Sequence, residues 1–176
     1  EKSSISIVGT FYQLLNAQID LSETSTSISG GSLIQRNHIV ASYSHSPVTI
    51  NSGSYLIQDN VVSSFDFSDF TILGGYLEIN DSASVSFNNL FLHITLTSNK
   101  RSTAGEAMII SNDAEILFTN SSIYINAGSL VMNENSTLAL QDPKSALYID
   151  GGSLILNDYA DFLTTSGTFI NIKTGN

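Results

Sequence analysis

The stretch LYIDGGSLILND, residues 147–158, places aliphatic side chains at alternate positions on both sides of a glycine pair. Four variants occur earlier in the chain: TSISGGSLIQRN (26–37), VTINSGSYLIQDN (48–60), TILGGYLEIND (71–81) and IYINAGSLVMNEN (123–135). An alternation of period two puts every second side chain on the same face of a β-strand. The stretch therefore predicts a β-structure that is built several times over.

The glycines of this repeat follow each other at nearly constant intervals. Gly31, Gly53 and Gly75 lie 22 residues apart, and Gly128 and Gly152 lie 24 residues apart. Periods of roughly 20–50 residues are typical of solenoids and related repeat architectures. The spacing therefore favours a solenoid over a globular β-sandwich.

Two positions of the repeat keep one residue type in all five copies. They are the glycine itself and the position three residues before it, which holds isoleucine. The two columns are Ile28, Ile50, Ile72, Ile125, Ile149, Gly31, Gly53, Gly75, Gly128 and Gly152. Stacked rungs lie about 4.8 Å apart, so we expect the isoleucines to form one buried spine. Each fully buried member contributes roughly 1.5–3 kcal/mol.

Each repeat also contains two further strand-like segments, such as DFTIL (69–73) before the glycine and ASVSF (83–87) after it. Three short strands within 22–24 residues predict one rung of a parallel β-helix. The predicted fold class is all-β: a single-stranded parallel β-helix, or β-solenoid, of about seven rungs, right-handed and three-sided. It forms one domain over residues 1–176, and only FYQLLNAQ (11–18) has the periodicity of a helical turn.

Glycine and asparagine have separate predicted roles at the corners of the rung. We expect the glycines to supply backbone φ values that other residues adopt only with strain. Asn80, Asn133 and Asn157 each fall five residues after their glycine, where stacked amides would form a ladder. Arg36 and Gln58 occupy the same offset, so the predicted ladder is imperfect.

The composition excludes several classes of function. Of the 176 residues 12% are charged, and the formal net charge is −10. Such a surface repels phosphate backbones and anionic lipid, so we expect no nucleic-acid partner. The chain contains no cysteine, and no apolar run approaches the roughly 18 residues that a membrane-spanning helix needs. Its start at Glu1 without methionine fits either a processed secreted chain or a fragment.

A polar segment, TLTSNKRSTAGEA (95–107), interrupts the repeat. It predicts a loop insertion at about residues 97–106, because Gly105 follows Gly75 after a step of 30 residues. Lys100 and Arg101, the only adjacent basic pair, are candidate binding residues because insertions in solenoids map to loops. The alternative is a tolerated bulge or a site of proteolytic cleavage.

The segment SFDFSDF (64–70) holds the best candidates for acid–base chemistry. Asp66 and Asp69, with Asp81 on the following rung, are the residue type that polysaccharide-cleaving β-helices need. The alternative, which we favour, is that the aspartates point outward beside inward phenylalanines. Because the chain has few basic residues to bind an anionic polymer, we predict no catalytic residue and no cofactor.

Other titratable residues give no metal-binding pattern. Four aspartates follow the post-glycine strand and would stack on one edge: Asp59, Asp81, Asp113 and Asp158. They fit either a Ca²⁺ site between rungs or a set of turns that shape the corner, and we favour the turns. His38, His45 and His93 share neither an offset nor the spacing of metal ligands. We therefore predict no metal.

Three sequons make Asn80, Asn120 and Asn135 candidate glycosylation sites. Asn80 cannot be both a buried ladder member and a glycan carrier, so Asn120 and Asn135 are the better candidates. Ice binding by a threonine grid is a further alternative. The outward column beside the isoleucines speaks against it, since Ser27, Thr49 and Thr71 give way to Tyr124 and Tyr148.

The repeats NAGSLVMNENSTLAL and DGGSLILND resemble those of parallel β-helices in surface proteins, especially autotransporter passenger domains and polymorphic outer-membrane proteins. The resemblance implies a stalk or an adhesive element. We therefore expect a non-enzymatic extracellular or cell-surface solenoid: a stalk, a coat element or a filament subunit. We expect self-association through the terminal rungs or contacts through surface glycans. The alternatives are a polysaccharide-binding or polysaccharide-cleaving β-helix and, less favoured, an ice-binding protein.

Overall fold

The computed structural model describes residues 2–96 and 106–173, where all regular structure is β-strand. The strands are, in chain order, β1 (Ser3–Ile7), β2 (Thr10–Leu14), β3 (Gln18–Ser22), β4 (Thr24–Arg36), β5 (Val40–Ser44), β6 (Val48–Ile57), β7 (Val62–Asp66), β8 (Phe70–Ile72), β9 (Tyr76–Ile79), β10 (Ser84–Asn88), β11 (Phe91–Thr95), β12 (Glu106–Ile110), β13 (Glu115–Thr119), β14 (Ser122–Ala127), β15 (Ser129–Met132), β16 (Thr137–Leu140), β17 (Ala146–Asp150), β18 (Ser153–Leu156), β19 (Asp161–Thr164) and β20 (Phe169–Lys173). The helical periodicity of residues 11–18 was misleading, because Phe11 pairs with Leu33 in a parallel ladder.

Each turn of the chain contributes one strand to each of three parallel stacks. The first stack holds β1, the start of β4 and of β6, then β8, β11, β14, β17 and β20. The second holds β2, the ends of β4 and β6, then β9, β12, β15 and β18. The third, a separate sheet, holds β3, β5, β7, β10, β13, β16 and β19. The first two stacks belong to one 13-stranded sheet, because β4 and β6 run through both.

The predicted fold class is confirmed. The chain is all-β, and its parallel strands coil into a solenoid of about seven turns. The handedness and the three-sided cross-section remain predictions. The predicted insertion at 97–106, with Lys100 and Arg101, lies outside the described residues except for Glu106, where β12 begins.

The predicted isoleucine spine is confirmed and is longer than the repeat suggested. All five predicted isoleucines are buried, and successive members pair in register. Ile94 fills the one missing rung, between Ile72 and Ile125. The full column is Ile7, Ile28, Ile50, Ile72, Ile94, Ile125, Ile149 and Ile172.

The third stack adds an aromatic ladder to the core. Tyr43, Phe65, Phe87 and Phe118 are buried and stack ring on ring, with centroids 4.5, 5.2 and 4.8 Å apart. Phe70, from the first stack, packs its edge against Phe65 and Phe87. Such offset and edge-on pairs add to the stabilisation from buried apolar area.

The glycine column is present, and close backbone approach joins the predicted backbone conformation as a reason for it. Gly53 has a φ of 111°, whereas Gly31 and Gly75 have no positive φ. A Cβ added to Gly75 would overlap the carbonyl oxygen of Gly53, and one on Gly53 would overlap that of Gly31. Close approach of successive backbones therefore requires glycine at Gly31 and Gly75, and the predicted positive φ favours glycine at Gly53 and at Gly128, whose φ is 95°.

The corner after the second stack is a turn of two left-handed residues. Asp59 and Asn60 have φ values of 59° and 60°, and Asp81 and Ser82 have 54° and 59°. Asn and Asp tolerate this conformation better than most residues. The turn geometry therefore agrees with the interpretation of these aspartates as residues that shape the corner.

A column of buried serines forms the corner between the third and first stacks. The backbone N–H of Ser46 donates to the hydroxyl of Ser68 on the next rung, at 2.8 Å. The N–H of Ser121 donates in the same way to Ser145, at 3.3 Å. Each of these hydroxyls also lies within hydrogen-bonding distance of a carbonyl oxygen on the preceding rung. We call these four residues the serine corner.

Candidate functional site

The outward face of the first stack changes character along the rod. Its central column runs Ser27, Thr49, Thr71, His93, Tyr124 and Tyr148, paired in register. The rings of His93 and Tyr124 stack at 5.0 Å, and those of Tyr124 and Tyr148 at 4.7 Å with planes 4° apart. Phe91 and Phe169 flank this stack, at 6.1 Å from Tyr124 and 5.6 Å from Tyr148. We call these five rings the aromatic strip.

Strand alternation is what turns these rings outward. In β11 the side chains of Leu92 and Ile94 are buried, so Phe91 and His93 lie on the opposite face. In β14 the buried Ile123 and Ile125 place Tyr124 outward in the same way. The pairing of β11 with β14 stays in register as far as Ile94, and that of β14 with β17 has no shift, so the rings of successive rungs lie directly on each other.

A groove of 160 Å³ lies beside the strip on β14, β17 and β20. It is bounded by Tyr124, Asn126, Tyr148, Asp150, Asn171 and Lys173. Each strand supplies two outward residues two positions apart, so the groove has ring edges along one side. Polar side chains line the other side. We call this feature the groove.

The polar groups of the groove keep their hydrogen-bonding capacity. No described residue hydrogen-bonds to, or pairs with, the side chains of Asp150, Asn171 or Lys173. Asn126 is the exception, because its amide donates to the Thr95 hydroxyl at 3.2 Å. Asp150 and Lys173 lie in register on adjacent strands and bring an acceptor and a donor to the same end of the groove.

Three polar side chains on the earlier rungs of the same face bond one another. The amide of Asn51 donates to the hydroxyls of Ser27 and Ser29, at 2.9 and 3.1 Å. These two hydroxyls lie 3.4 Å apart. These three groups therefore bond each other, whereas Asp150, Asn171 and Lys173 of the groove have no side-chain partner within the described part of the chain.

The predicted carboxylate pair is split between different roles. Asp66 is half-buried and points away from the buried Phe65, as the favoured alternative predicted. Asp69 accepts the backbone N–H of Phe91 at 3.1 Å and so ties two rungs together. Asp81 accepts the amide of Asn112 at 3.1 Å on the next rung.

The other titratable residues are dispersed. Among residues 2–96 and 106–173, no three His, Asp or Glu side chains come close enough to hold a metal. His45 stacks on Phe67 at 5.1 Å, His38 lies in a turn with φ 62°, and His93 belongs to the aromatic strip. Of the four turn aspartates, Asp113 occupies the second turn position, following Asn112, whereas Asp59, Asp81 and Asp158 occupy the first.

The three sequon asparagines have different surroundings. Asn80 is 8% exposed and donates its amide to Glu78 at 2.8 Å, which leaves little access for a glycan. Asn120 and Asn135 are both exposed. The amide of Asn120 donates to Asn89 at 2.6 Å. The predicted amide ladder forms between Asn157 and Asn133, at 3.0 Å, and Asn80 is not part of it.

Glu78 lies at the centre of a polar group on the outward face of the second stack. Burial raises the pKa of this carboxyl, and the charge of Asp81 raises it further. Gln58, Arg36 and Asn80 lower the pKa. Arg36 donates to Gln58 at 2.6 Å and lies 3.9 Å from Asp59, the one ion pair in the described part of the chain.

A buried polar ring occupies the core of the early rungs. The amide of Gln35 donates to the Tyr43 hydroxyl at 3.1 Å, and the Tyr55 hydroxyl donates to the Gln35 oxygen at 2.8 Å. The two hydroxyls lie 2.8 Å apart, which closes a ring of three hydrogen bonds. All three residues are almost completely buried, so the ring is a structural feature rather than a site.

Sequence reasoning did not single out the groove. The column of Tyr124 and Tyr148 was noticed only as an interruption of a threonine grid. Asn126 and Asp150 lie two residues after these tyrosines, and this repeated offset was the available signal. On β20, Asn171 pairs with Tyr148 and Lys173 pairs with Asp150, so the two residues continue the two columns.

The chain matches no protein-family model, no curated protein and no solved structure. The likeness to surface-protein β-helices is thus one of repeat style alone. Within the described residues there is no helix with the length and apolar character required to span a membrane.

Proposed function

We propose that the chain is a non-enzymatic structural or adhesive rod, displayed outside the cell or at its surface. The observation that carries this proposal is the parallel stacking of about seven turns around one apolar spine. Rungs that are hydrogen-bonded to both neighbours along three stacks resist bending. Seven rungs about 4.8 Å apart give a rod on the order of 35 Å long. The resemblance of the repeats to passenger domains is in keeping with such a role.

Negative-stain or cryo-electron microscopy of the full chain tests the shape. We expect stiff particles of constant width, whose length equals the number of rungs times the rung spacing. Compact, round particles would contradict the proposal.

A polysaccharide panel, with and without Ca²⁺, tests the non-enzymatic part. We expect no release of reducing ends from any of the polysaccharides. Release of reducing ends that is lost in Asp66→Asn or Asp69→Asn would show that the chain is an enzyme.

We also propose that the rods associate end to end. The first rung exposes Ile5, Val8 and Phe11, and the last strand exposes Phe169, Ile170 and Ile172. The isoleucine column reaches both ends, so one copy would extend the spine of the next. Exposed strand edges are ready templates for such pairing. Sedimentation velocity over a range of concentrations tests this association. We expect species larger than the monomer, and we expect Ile172→Lys to abolish them. A monomer at every concentration would contradict end-to-end association.

Surface glycans are a second predicted means of contact, and exposure favours Asn120 and Asn135 as their carriers. Expression through a eukaryotic secretory pathway followed by intact-mass measurement tests this. We expect the added mass to fall with Asn120→Gln and Asn135→Gln and to be unaffected by Asn80→Gln. Modification of Asn80 alone would contradict the assignment.

Polysaccharide binding is the second candidate function, and the groove is the observation that favours it. Ice binding has less support, because the threonine column is only Thr49 and Thr71 long before His93 interrupts it. A measurement of thermal hysteresis tests ice binding, and we expect none.

A further inference from the structure

We propose that the groove binds one sugar unit of a neutral polysaccharide, against the ring edges of Tyr124 and Tyr148. The inference rests on the adhesive part of the proposed function, since it names the ligand by which the rod would adhere. The rod itself is independent of it, because neither tyrosine is part of the buried core.

The aromatic strip presents edges rather than faces. Tyr124 lies between His93 and Tyr148, at 5.0 and 4.7 Å and with nearly parallel planes, so both faces of its ring are covered. The edge of an aromatic ring carries partial positive charge. Ring edges therefore attract a ligand that is rich in oxygen lone pairs, such as hydroxyl and ether oxygens.

The opposite side of the groove offers matching hydrogen-bonding groups. On that side the Asp150 carboxylate accepts and the Lys173 ammonium donates, and the Asn171 amide, which continues the tyrosine column, does both. None of the three is engaged by another described residue. A sugar ring, with several hydroxyls that each donate and accept, is the class of ligand that satisfies such a set together.

The volume of the groove and the charge of the chain narrow the class of ligand further. The groove of 160 Å³ has about five times the roughly 30 Å³ that one water occupies in the liquid. That volume suits a single sugar unit of a longer chain. The net charge of −10 and the carboxylate of Asp150 disfavour a polyanion, so the ligand is neutral.

Titration of the full chain with cellohexaose, laminarihexaose, maltohexaose and mannohexaose tests the proposal. Binding is followed by isothermal calorimetry and by tyrosine fluorescence, which is usable because the chain has no tryptophan. We expect saturable binding of at least one of these probes. We expect Tyr148→Ala and Asp150→Ala each to weaken it about tenfold, a change equal to roughly 1.4 kcal/mol.

The earlier rungs of the same face provide the matched control. Thr49→Ala changes the same column outside the groove and should leave binding unchanged. Circular dichroism and melting of each variant show whether the rod is intact, so a loss of binding is separated from a loss of fold. No saturable binding of any probe would overturn the proposal. So would equal binding by Tyr148→Ala, or tighter binding of polygalacturonate than of all neutral probes.

Discussion

The early and late rungs share one backbone plan and differ in what their side chains do. Inside the early rungs, Gln35, Tyr43 and Tyr55 close a buried polar ring. Inside the later rungs the equivalent positions hold the apolar residues Leu130, Met132 and Leu140. Outside, Ser27, Ser29 and Asn51 of the early rungs bond one another, whereas Asp150, Asn171 and Lys173 of the later rungs have no side-chain partner among the described residues. The solenoid fixes which side chains point inward and which point outward. The two regions differ in the residue types that occupy these positions.

The largest effect we expect comes from the glycine column, which is continuous from Gly9 to Gly75 in the early rungs. In Gly75→Ala the new methyl group would overlap the backbone of Gly53, and backbone atoms cannot move aside cheaply. We expect a loss of about 3–5 kcal/mol in the free energy of unfolding, measured by urea denaturation. Gly9→Ala, where no atom lies within 4 Å, is the matched control and should be close to neutral. Equal stability of the two variants would contradict the close-approach explanation.

The next effect concerns the buried polar ring. Tyr55→Phe removes one hydroxyl, so the Tyr43 hydroxyl loses its neighbour at 2.8 Å and the Gln35 oxygen loses the nearer of its two donors. An unsatisfied buried polar group costs about 1–3 kcal/mol, so we expect a loss of that size by chemical denaturation. Tyr124→Phe, on the outer face of a later rung, removes a hydroxyl with no described partner and should change stability by less than about 0.5 kcal/mol. A larger loss from Tyr124→Phe would reverse the distinction between the two regions.

The same ring predicts a dependence of stability on alkaline pH. Burial raises the pKa of Tyr55 well above its ordinary value, and burial also raises the pKa of Tyr43. In the unfolded chain both titrate near 10, so above that pH the unfolded state releases protons that the folded state keeps. The stabilisation is therefore fully present below about pH 10 and is lost as the pH rises towards the folded pKa values. Urea denaturation from pH 8 to 11 should show this fall, and Tyr55→Phe should show a shallower one.

The smallest effect concerns Glu78, which interrupts an outward column of apolar residues between Leu56 and Ile109. Burial and Asp81 raise its folded pKa, so its contribution to stability is present below its unfolded pKa and is lost as the pH rises through the folded pKa. Glu78→Gln should therefore raise the melting temperature slightly at pH 7. The difference should vanish near pH 3, and a difference independent of pH would contradict this reasoning.

The fold could be predicted because its determinants are periodic in the sequence. Five isoleucines at a constant offset from glycine were enough to define the spine. Ile94 was missed because the residue three positions later is Thr97 rather than glycine, at the point where the polar segment begins. The role of glycine was predicted only in part, because the approach of one rung to the next is a property of the stack. No single copy of the repeat contains it.

The candidate site was much less predictable. Its residues come from strands about 24 positions apart, and no copy of the repeat holds more than two of them. The free hydrogen-bonding capacity of Asp150 and Asn171 becomes visible only when their neighbours are known. Asp66 and Asp69 attracted attention because they are close in sequence, yet they lie at different positions of the rung.

In the serine corner, backbone N–H groups of one rung donate to serine hydroxyls of the next rung along the chain. The N–H of Ser46 is satisfied only by the hydroxyl of Ser68, which arrives one rung later. The same holds for Ser121 and Ser145. A chain that emerges from its amino end thus completes each layer by laying down the following one. Emergence of the chain from its amino end, during synthesis or export, suits this order. The backbone N–H donors of one rung are then in place before the serine hydroxyls of the next rung that accept from them.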